Sequence, residues 1–330
     1  MSIPVLVTGA TGFIGSHVAR QLVERGDDVR CLVRPGSDRG TLEGLPVHWV
    51  EGDLTRPATL PDAVRGCRLV FHCAADYRLW SKDPECIYRT NVDGTEALLA
   101  ASAEAGAERV VHTSSVGALP GAHHGRPVDE EANGELGNLV GDYKRSKYLA
   151  ERVAERWVGR GLDVVIVNPS TPLGEGDRKP TPTGKMVVDF LQGRIPAYVD
   201  GGLNVVDVRD VALGHLLAAE RGHTGERYIL GCRNVSFREL FAILARVSGR
   251  REPRLRLPHW VPLTAALAGQ AWARISGGRP AVAPDAVRMA RTPMYFDSGK
   301  AVRDLGLPQS PVEDAARRAV AWFRSEGYAA

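Results

Sequence analysis

Tyr143 and Lys147 stand four residues apart in a helical pattern, so their side chains share one face of the predicted helix. A tyrosine phenol, whose pKa is about 10, is a poor acid or base at neutral pH. A lysine ammonium one turn away favours the phenolate and lowers that pKa. The Thr113-Ser114-Ser115 run ends a strand about one element earlier, where a serine hydroxyl can hold a substrate oxygen while Tyr143 exchanges a proton. Spacing alone also fits a surface Tyr and Lys on an ordinary helix.

A glycine-rich turn near the N-terminus supplies a second kind of chemistry. Gly9, Gly12 and Gly15 follow an apolar run and open a helical pattern, with Thr11, Phe13 and Ile14 between them. The first glycine permits a sharp turn, the second a close approach to a pyrophosphate, and the third packing of the helix on its strand. Free N–H groups at the helix start face a bound anion. The Gly-x-x-Gly-x-x-Gly spacing therefore predicts a dinucleotide site, against the alternative of a structural glycine turn.

The elements that must position these residues alternate along the chain. Apolar runs predict strands over 4–8, 28–33, 47–50, 69–73, 109–113, 163–168 and 227–230, and helical patterns predict helices over 16–25, 88–103 and 142–157. Strands that alternate with helices indicate βαβ units. The predicted fold is α/β, with a doubly wound, parallel, Rossmann-type sheet.

After residue 168 the composition changes. Residues 169–184 are rich in Pro, Gly and Thr and predict a loop beyond the carboxyl end of a strand, where open α/β sheets bind ligands. From residue 236 the pattern is mostly helical. We therefore expect a dinucleotide-binding domain over 1–170, rejoined by 205–232, and a smaller, mainly helical substrate-binding cap formed by 171–204 and 233–330.

Composition excludes several classes of function. The net charge is +3, with 42 basic and 39 acidic residues, which gives no reason to expect a nucleic-acid partner. The five cysteines form no CxxC and predict reduced thiols in the cytoplasm. Neither a signal peptide nor a transmembrane segment is expected. His123-His124 has no matching ligands, so no metal site is expected.

The motifs together resemble the extended short-chain dehydrogenases/reductases. The resemblance covers essentially the whole chain and is closest to the dihydroflavonol 4-reductase-like branch and its hopanoid-associated sugar epimerase group. It implies that Ser115 is the catalytic serine, with Ser114 the alternative one position away, Tyr143 the acid/base and Lys147 its partner. It also implies that Asn91 supports the active site. The motifs are residues 8–15, 91–95, 168–170, 206–211 and 297–301, the Ser-Ser pair, Tyr143-x-x-x-Lys147, and the stretches 74–80, 168–174, 179–185 and 197–204.

The choice of cofactor depends on the end of the second strand. Arg34 occupies the position at which an acidic residue would bind the ribose hydroxyls of NAD(H). An arginine there favours the 2′-phosphate of NADP(H) instead. Asp38 is a complication, because its carboxylate can bind ribose instead, and a solvated loop charge is the alternative for Arg34. Asp53 is expected at the adenine edge. Further cofactor contacts are expected at Leu54, Ala74, Ala75, Pro169 and Ser170, together with Tyr143 and Lys147.

Substrate residues are predicted after the fourth strand. Asp76, Tyr77 and Trp80 should border the nicotinamide pocket, where the two aromatic rings can stack on a sugar or line an apolar slot. Plain packing is the alternative. Residues 257–275 are apolar, with Trp260 and Trp272 near the ends. They predict either a packed cap helix or an entry face for a lipid-like substrate or a peripheral membrane contact.

These observations predict an NADP(H)-dependent oxidoreductase, with NAD(H) as the second choice of cofactor. Its small-molecule substrate, implied only by the resemblance, is a sugar-bearing or polycyclic intermediate of hopanoid synthesis. A nucleotide-sugar epimerase with tightly bound cofactor is the first alternative. A non-catalytic, NADP-binding redox sensor is the second, although the Tyr/Lys pair argues against it. The oligomeric state is open, with a homodimer among the options.

Overall fold

The computed structural model describes residues 3–122, 126–276 and 284–329. Strands and helices alternate through its first two thirds. The strands are β1 Pro4–Thr8, β2 Asp28–Val33, β3 His48–Glu51, β4 Leu69–His72, β5 Arg109–Thr113, β6 Val164–Pro169, β7 Thr171–Leu173, β8 Ala197–Tyr198, β9 Gly202–Asp207, β10 Arg227–Leu230, β11 Arg233–Ser236 and β12 Leu255–Arg256. The helices are α1 Phe13–Arg25, α2 Leu60–Val64, α3 Glu85–Tyr88, α4 Gly94–Glu104, α5 Asp142–Gly159, α6 Pro182–Leu191, α7 Val208–Arg221, α8 Phe237–Ser248, α9 Trp260–Ser276, α10 Pro284–Ala290 and α11 Val312–Ser325.

The central sheet has seven strands in the order β10-β6-β5-β4-β1-β2-β3, and every neighbouring pair is parallel. The predicted doubly wound sheet is therefore confirmed. The order of connection reverses between β1 and β4, where Thr8 pairs with His72. Open α/β sheets bind ligands outside the carboxyl ends of their strands at such a switch point.

Helices cover both faces of the sheet, which explains why its strands read as continuous apolar runs. In β6, the four residues from Val164 to Val167 are fully buried. One face packs against α1 and α7, and the other packs against α2, α4 and α5. This double burial fixes the strand ends on which the polar residues of the site stand.

The predicted helix over 88–103 is part of a longer helical stretch that is not regular. Residues Arg89–Asp93 form a π-turn between α3 and α4. Asn91 lies in this turn and is almost fully buried. Such π-turns often occur at functional sites, because the extra residue redirects a side chain.

The cap contains more β-structure than the sequence predicts. A three-stranded sheet in the order β11-β9-β7 packs against α6, α8 and α11, and β12 pairs with β8. The prediction of one loop over 169–184 is wrong, because it includes β7 and the start of α6, which Thr181 caps through its side chain. Residues 205–207 belong to β9 of this small sheet and not to the central one. Within the described ranges, no helix combines the length and the apolarity needed to cross a bilayer.

Candidate active site

Tyr143 and Ser115 meet at the carboxyl edge of the central sheet. Tyr143 stands in the first turn of α5, which begins after Gly141 in a left-handed conformation with φ of 86°. The side chain of Ser115 lies close enough to the phenol to lower the pKa of Tyr143, and its Oγ accepts from the backbone N–H of Gly117 at 3.0 Å. Ser114 points elsewhere: its Oγ donates to Glu151 Oε2 at 2.6 Å in a buried position. The geometry therefore favours Ser115 over Ser114 as the hydroxyl that faces the reacting atoms.

Lys147 lies one turn further along α5 and is 2% exposed. Its Nζ donates to the carbonyl oxygen of Thr113 at 2.6 Å, so the ammonium is fixed at the end of β5. Burial lowers the pKa of Lys147 to about 8, although the negative charge of Glu151 opposes this shift. The lysine is thus charged at neutral pH but close to the pH at which it loses its proton.

The expected effect of Lys147 on the pKa of Tyr143 is not found. Burial raises the pKa of Tyr143 above 10, and the hydrogen bond from Ser115 only partly offsets this. The physical reason is that desolvation penalises the phenolate, whereas Lys147 directs its Nζ to the Thr113 carbonyl. Tyr143 therefore stands as a neutral phenol, the protonation state of a proton donor.

Glu151, one turn beyond Lys147, was missed by the sequence reasoning. It is 1% exposed and accepts hydrogen bonds from Ser114, from Asn168 Nδ2 at 3.0 Å and from Arg227 at 2.9 Å. Asn168 also donates to the carbonyl of Ser115 at 3.1 Å. This network ties α5 to the ends of β5, β6 and β10 behind the reacting hydroxyls. The spacing of Tyr143, Lys147 and Glu151 at intervals of four is the sequence signal that identifies it.

Two buried histidines beside Lys147 were also missed. His72 bridges the hydroxyls of Thr8 and Thr95, each at 2.9 Å, and burial together with Lys147 lowers its pKa to about 3. His112 is fully buried next to His72, and the same two causes hold its pKa well below the usual value. Both rings are therefore neutral, and they fill the space beneath the site without adding charge.

Asn91 acts on the loop that follows β4. Its Oδ1 accepts from the backbone N–H of Asp76 at 2.7 Å, and its Nδ2 donates to the Asp76 carbonyl at 2.9 Å. The same Nδ2 donates to Ser146, the neighbour of Lys147, at 2.9 Å. Asn91 thus links the predicted substrate loop to the helix that carries Tyr143 and Lys147. Its contacts are those of a positioning residue.

The glycine turn fits a pyrophosphate on conformational grounds. Gly9 has φ of 70°, and a Cβ there would lie 2.7 Å from the Ala74 nitrogen. A Cβ on Gly15 would lie 2.2 Å from the Gly9 carbonyl, so α1 reaches its strand only without a side chain. Gly12 is the N-cap of α1 and offers no side-chain cap to the first N–H groups, at Phe13, Ile14 and Gly15. These donors are available to an anion near Thr11.

The other predicted cofactor residues lie at the ends of neighbouring strands, as the sequence suggested. Asp53 follows β3, but one of its carboxylate oxygens accepts from Thr55 at 2.9 Å, and Leu54 beside it is buried. The Ala74 N–H donates to Thr8 at 3.1 Å. Ala75 follows it, and Pro169 and Ser170 close β6. Ser170 Oγ is buried and makes no hydrogen bond within the described part of the chain.

Arg34 is exposed just beyond β2, and its side chain forms no ion pair or hydrogen bond with any residue the structure describes, while its backbone carbonyl accepts from the Ser37 N–H at 3.1 Å. Its neighbours do have partners. Asp38 pairs with Arg178 at 3.3 Å, and Arg39 pairs with Glu51 at 3.2 Å while its guanidinium lies over Trp49. Arg34 is therefore the cation of this loop that is left to meet a ligand.

The predicted substrate residues border the cap. Burial raises the pKa of Asp76, but hydrogen bonds and charge from Arg78 outweigh this and lower it, with a further contribution from Arg34. The Tyr77 hydroxyl donates to the carbonyl of Lys179 at 2.9 Å, across to the loop before α6. Trp80 is partly buried in the same segment. Asp76 is engaged by Arg78, so its carboxylate already has a partner, and the substrate roles of Tyr77 and Trp80 stay a prediction.

His123 and His124 lie outside the described residues. Within the described ranges, no group of three or more His, Cys, Asp or Glu side chains is arranged to hold a metal ion.

The chain is similar in sequence and fold to several known proteins. The model of the NAD dependent epimerase/dehydratase family matches residues 5–231. A Synechocystis protein assigned provisionally as a dihydroflavonol 4-reductase is 47% identical, over 98% of this chain and 95% of its own. Sterol demethylase protein B of Methylococcus capsulatus is 35% identical, over 98% of both chains. The crystal structure of a dTDP-glucose 4,6-dehydratase from Streptomyces venezuelae, with NAD bound, is similar at a TM-score of 0.77 and 26% identity, covering 98% of this chain and 97% of that one.

Proposed function

Because the chain belongs to the NAD-dependent epimerase/dehydratase family of extended short-chain dehydrogenases/reductases, and is an NAD(P)-dependent enzyme, we propose that it is an NADP(H)-dependent reductase. Its substrate would be a ketone or secondary alcohol of a sugar-bearing or polycyclic intermediate of hopanoid synthesis. The single observation that carries the proposal is the arrangement at the sheet edge, where Tyr143 lies beside Ser115 and the buried Lys147, one turn away, is held on the Thr113 carbonyl.

The nicotinamide cofactor supplies or accepts the hydride at the reacting carbon. In the direction of reduction, Ser115 holds the substrate oxygen and Tyr143 gives it a proton, so that the carbonyl becomes a hydroxyl and the phenol becomes a phenolate. Lys147 is directed to the Thr113 carbonyl in the resting state, and its charge would stabilise the phenolate once that forms. Tyr143 returns to the phenol when a proton from solvent replaces the one it gave. Asn91 and Glu151 keep the three groups in place.

The cofactor is bound by residues on one edge of the sheet. The N–H groups after Gly12 would hold the pyrophosphate, and Gly9 and Gly15 leave room for its close approach. Arg34 would meet the 2′-phosphate, and Asp53 with Leu54 would meet the adenine. Lys147 would hold the nicotinamide ribose. The nicotinamide half would be bordered by Ala74, Ala75, Pro169 and Ser170.

The substrate class is supported by an apolar wall and by the relatives. Tyr77 is exposed and Trp80 is half-buried after β4, and the Tyr77 hydroxyl contacts the loop before α6, so we place their flat rings against the substrate. The names of two relatives refer to a flavonoid and a sterol, which are both polycyclic. We also place the enzyme in the cytoplasm, since its five cysteines are all unpaired.

A nucleotide-sugar epimerase is the second candidate. The observation in its favour is the likeness to a sugar-nucleotide dehydratase solved with NAD. An epimerase returns the hydride to its product and keeps its cofactor, whereas a reductase exchanges the cofactor at each turnover.

The test is to measure the stoichiometry and redox state of the dinucleotide in the purified protein, and then to supply NADPH with a panel of polycyclic ketones. We expect an exchangeable cofactor and one NADPH oxidised per ketone reduced. A retained dinucleotide, with no net oxidation and with epimerisation of a nucleotide sugar, would favour the second candidate. Binding of NADPH with no turnover of either class would favour a redox sensor.

A further inference from the structure

The most exposed apolar side chains of the described residues gather in one part of the cap. Leu255, Trp260 and Trp272 are 59%, 66% and 69% exposed, more than any other large hydrophobic residue that the structure describes. Leu267, between them, is 40% exposed. Large exposed apolar patches mark interaction surfaces, because single-chain folds ordinarily bury such groups.

These side chains are presented largely by α9. The positions exposed at helical spacing are Trp260, Thr264, Ala268 and Trp272, while Ala266 and Ala273 are buried on the other side. Every exposed residue of this face except Thr264 is apolar. The two tryptophans are twelve residues apart, which places them about 18 Å apart along the helix. Tryptophan favours the boundary between lipid headgroups and acyl chains.

The segment before α9 is strongly basic. Arg250, Arg251, Arg254 and Arg256 stand against a single acid, Glu252, so residues 250–256 carry a net +3, equal to the net charge of the whole chain. Arg256 is paired with Asp200. No Asp or Glu occurs in α9. An apolar helix face beside a basic segment has the chemistry of a surface that lies on an anionic bilayer.

We propose that α9 and residues 250–256 together form a docking surface for an anionic lipid bilayer. The tryptophans and Leu267 enter the interfacial layer, and the arginines meet acidic headgroups. A second copy of the chain fits this surface less well, because a two-fold contact would bring two sets of arginines into one interface.

The docking surface lies close to the candidate active site. Helix α9 packs against α10. In α10, the Asp285 carboxylate lies 3.5 Å from the place that a Cβ on Gly141 would occupy, two residues before Tyr143. A bilayer held on α9 would thus lie one helix, α10, away from the first turn of α5. The docking itself is independent of the proposed function, whereas delivery of a lipid substrate from the bilayer rests on it.

The test uses the full chain and flotation with vesicles, either of phosphatidylcholine alone or with about one third phosphatidylglycerol. We expect binding to the anionic vesicles, a blue shift of tryptophan fluorescence, and weakening at high salt. Trp260→Gln combined with Trp272→Gln should reduce binding at least tenfold. Arg250→Gln, Arg251→Gln and Arg254→Gln together should remove the preference for anionic vesicles.

Leu213→Gln is the matched control, since Leu213 is also exposed, at 38%, but lies on α7. It should bind vesicles as the wild type does. NADPH affinity and thermal unfolding should be unchanged in all variants, and a variant that unfolds is replaced by single Trp260→Gln. The proposal is overturned if the wild type remains at the bottom of the gradient and does not float with the anionic vesicles. It is also overturned if the tryptophan variants bind vesicles normally and change only the molar mass in solution, which would assign the surface to a second copy of the chain.

Discussion

The candidate site has two sides, the carboxyl edge of the central sheet and the loop before α6 in the cap, and these are held in different ways. We call them the sheet wall and the cap wall. On the sheet side, Lys147, Asn91 and Glu151 are almost fully buried, and each makes hydrogen bonds to backbone or to other buried groups. On the cap side, the loop before α6 is held by two tyrosines, the exposed Tyr77 and the half-buried Tyr328, which donate to the carbonyls of Lys179 and Arg178. Within that loop the buried Asp177 also accepts from Thr181. One wall is fixed by buried contacts, whereas the other depends in part on contacts that water can replace.

This difference assigns separate tasks to the two walls. Buried, fully hydrogen-bonded groups are preorganised, so they can stabilise a developing charge without moving. Contacts at the surface contribute little individually, so the loop can adapt to different ligands. We expect changes in the sheet wall to alter turnover by orders of magnitude, and changes in the cap wall to alter substrate affinity by small factors.

The largest effect is expected for Tyr143→Phe. The ring still packs, and only the proton-transferring oxygen is lost, so kcat should fall by about a hundred- to ten-thousand-fold. The dissociation constant of NADPH should stay nearly unchanged. Tyr148→Phe, on the same helix beneath the Arg152 guanidinium, is the control and should keep its turnover. Near wild-type kcat for Tyr143→Phe would exclude the proposed proton donor.

Lys147→Met should damage both turnover and cofactor binding, because the ammonium serves the phenolate and the ribose. We expect a fall in kcat of about a hundredfold and a measurable rise in the NADPH dissociation constant. Lys185→Met, a surface lysine paired with Asp189, is the control. Normal cofactor affinity in Lys147→Met would remove the ribose part of its role.

The preference for NADPH over NADH tests Arg34, which is an exposed residue of the sheet wall. Wild type should bind NADPH more tightly than NADH, because an arginine makes charge-assisted, bidentate bonds to a phosphate. Such bonds contribute about 1.5–3 kcal/mol, so Arg34→Asp should weaken NADPH binding roughly ten- to a hundredfold and leave NADH unharmed. Titration of both cofactors by fluorescence or calorimetry measures this.

Arg39→Asp is the comparison variant, since Arg39 already has Glu51 and Trp49 as partners. It should shift the preference less. If wild type prefers NADH, Arg34 is only a solvated loop charge, and Asp38 becomes the residue to examine.

Glu151→Gln tests whether the buried network sets the charge of Lys147. The carboxylate raises the pKa of Lys147 against the effect of burial, so its removal should lower that pKa below about 8. Because the lysine is charged only below its pKa, the loss of activity at alkaline pH should begin at a lower pH. On the alkaline limb, above both pKa values, a decrease of about one pKa unit corresponds to an about tenfold fall in kcat, whereas at neutral pH the fall is only about twofold.

The control is Glu155→Gln, one turn further along α5, where the acid pairs with Arg152 and is partly exposed. It should leave the pH profile in place. An unchanged alkaline limb in Glu151→Gln, in a protein of normal thermal stability, would reduce Glu151 to a structural role.

The two walls also differ in how far sequence predicts them. The glycine turn follows from local rules, since Gly9 needs a positive φ and Gly15 a close contact, and both constraints act within a few residues. The Tyr143–Lys147 pair is equally local. The partners of Glu151 come from β5, β6 and β10, and only the tertiary fold brings them together.

The cap strands were missed for a related reason. β7 and β12 contain three and two residues, and one of the three in β7 is Pro172, so neither has a run long enough to predict a strand. The sign of the shift in the pKa of Tyr143 also depends on burial, which no spacing reveals. A sequence predicts backbone constraints that act within a few residues, but it does not predict the burial of a side chain or its contacts with residues distant in the chain.

The smallest effect is expected where the two walls touch. Tyr77 and Tyr328 hold consecutive carbonyls of one loop, at 2.9 Å and 2.5 Å, from the sheet side and from the end of the chain. A neutral hydrogen bond contributes about 0.5–1.5 kcal/mol, so Tyr77→Phe should raise the KM for substrate about two- to tenfold and leave kcat and NADPH affinity unchanged.

If Tyr77 acts by ordering the loop, Tyr328→Phe should raise KM by a similar factor, although Tyr328 approaches the loop from the other side. If only Tyr77→Phe changes KM, its hydroxyl binds the substrate itself. A change in kcat for either variant would contradict the division of tasks, because it would show that the adaptable wall also positions the reacting groups.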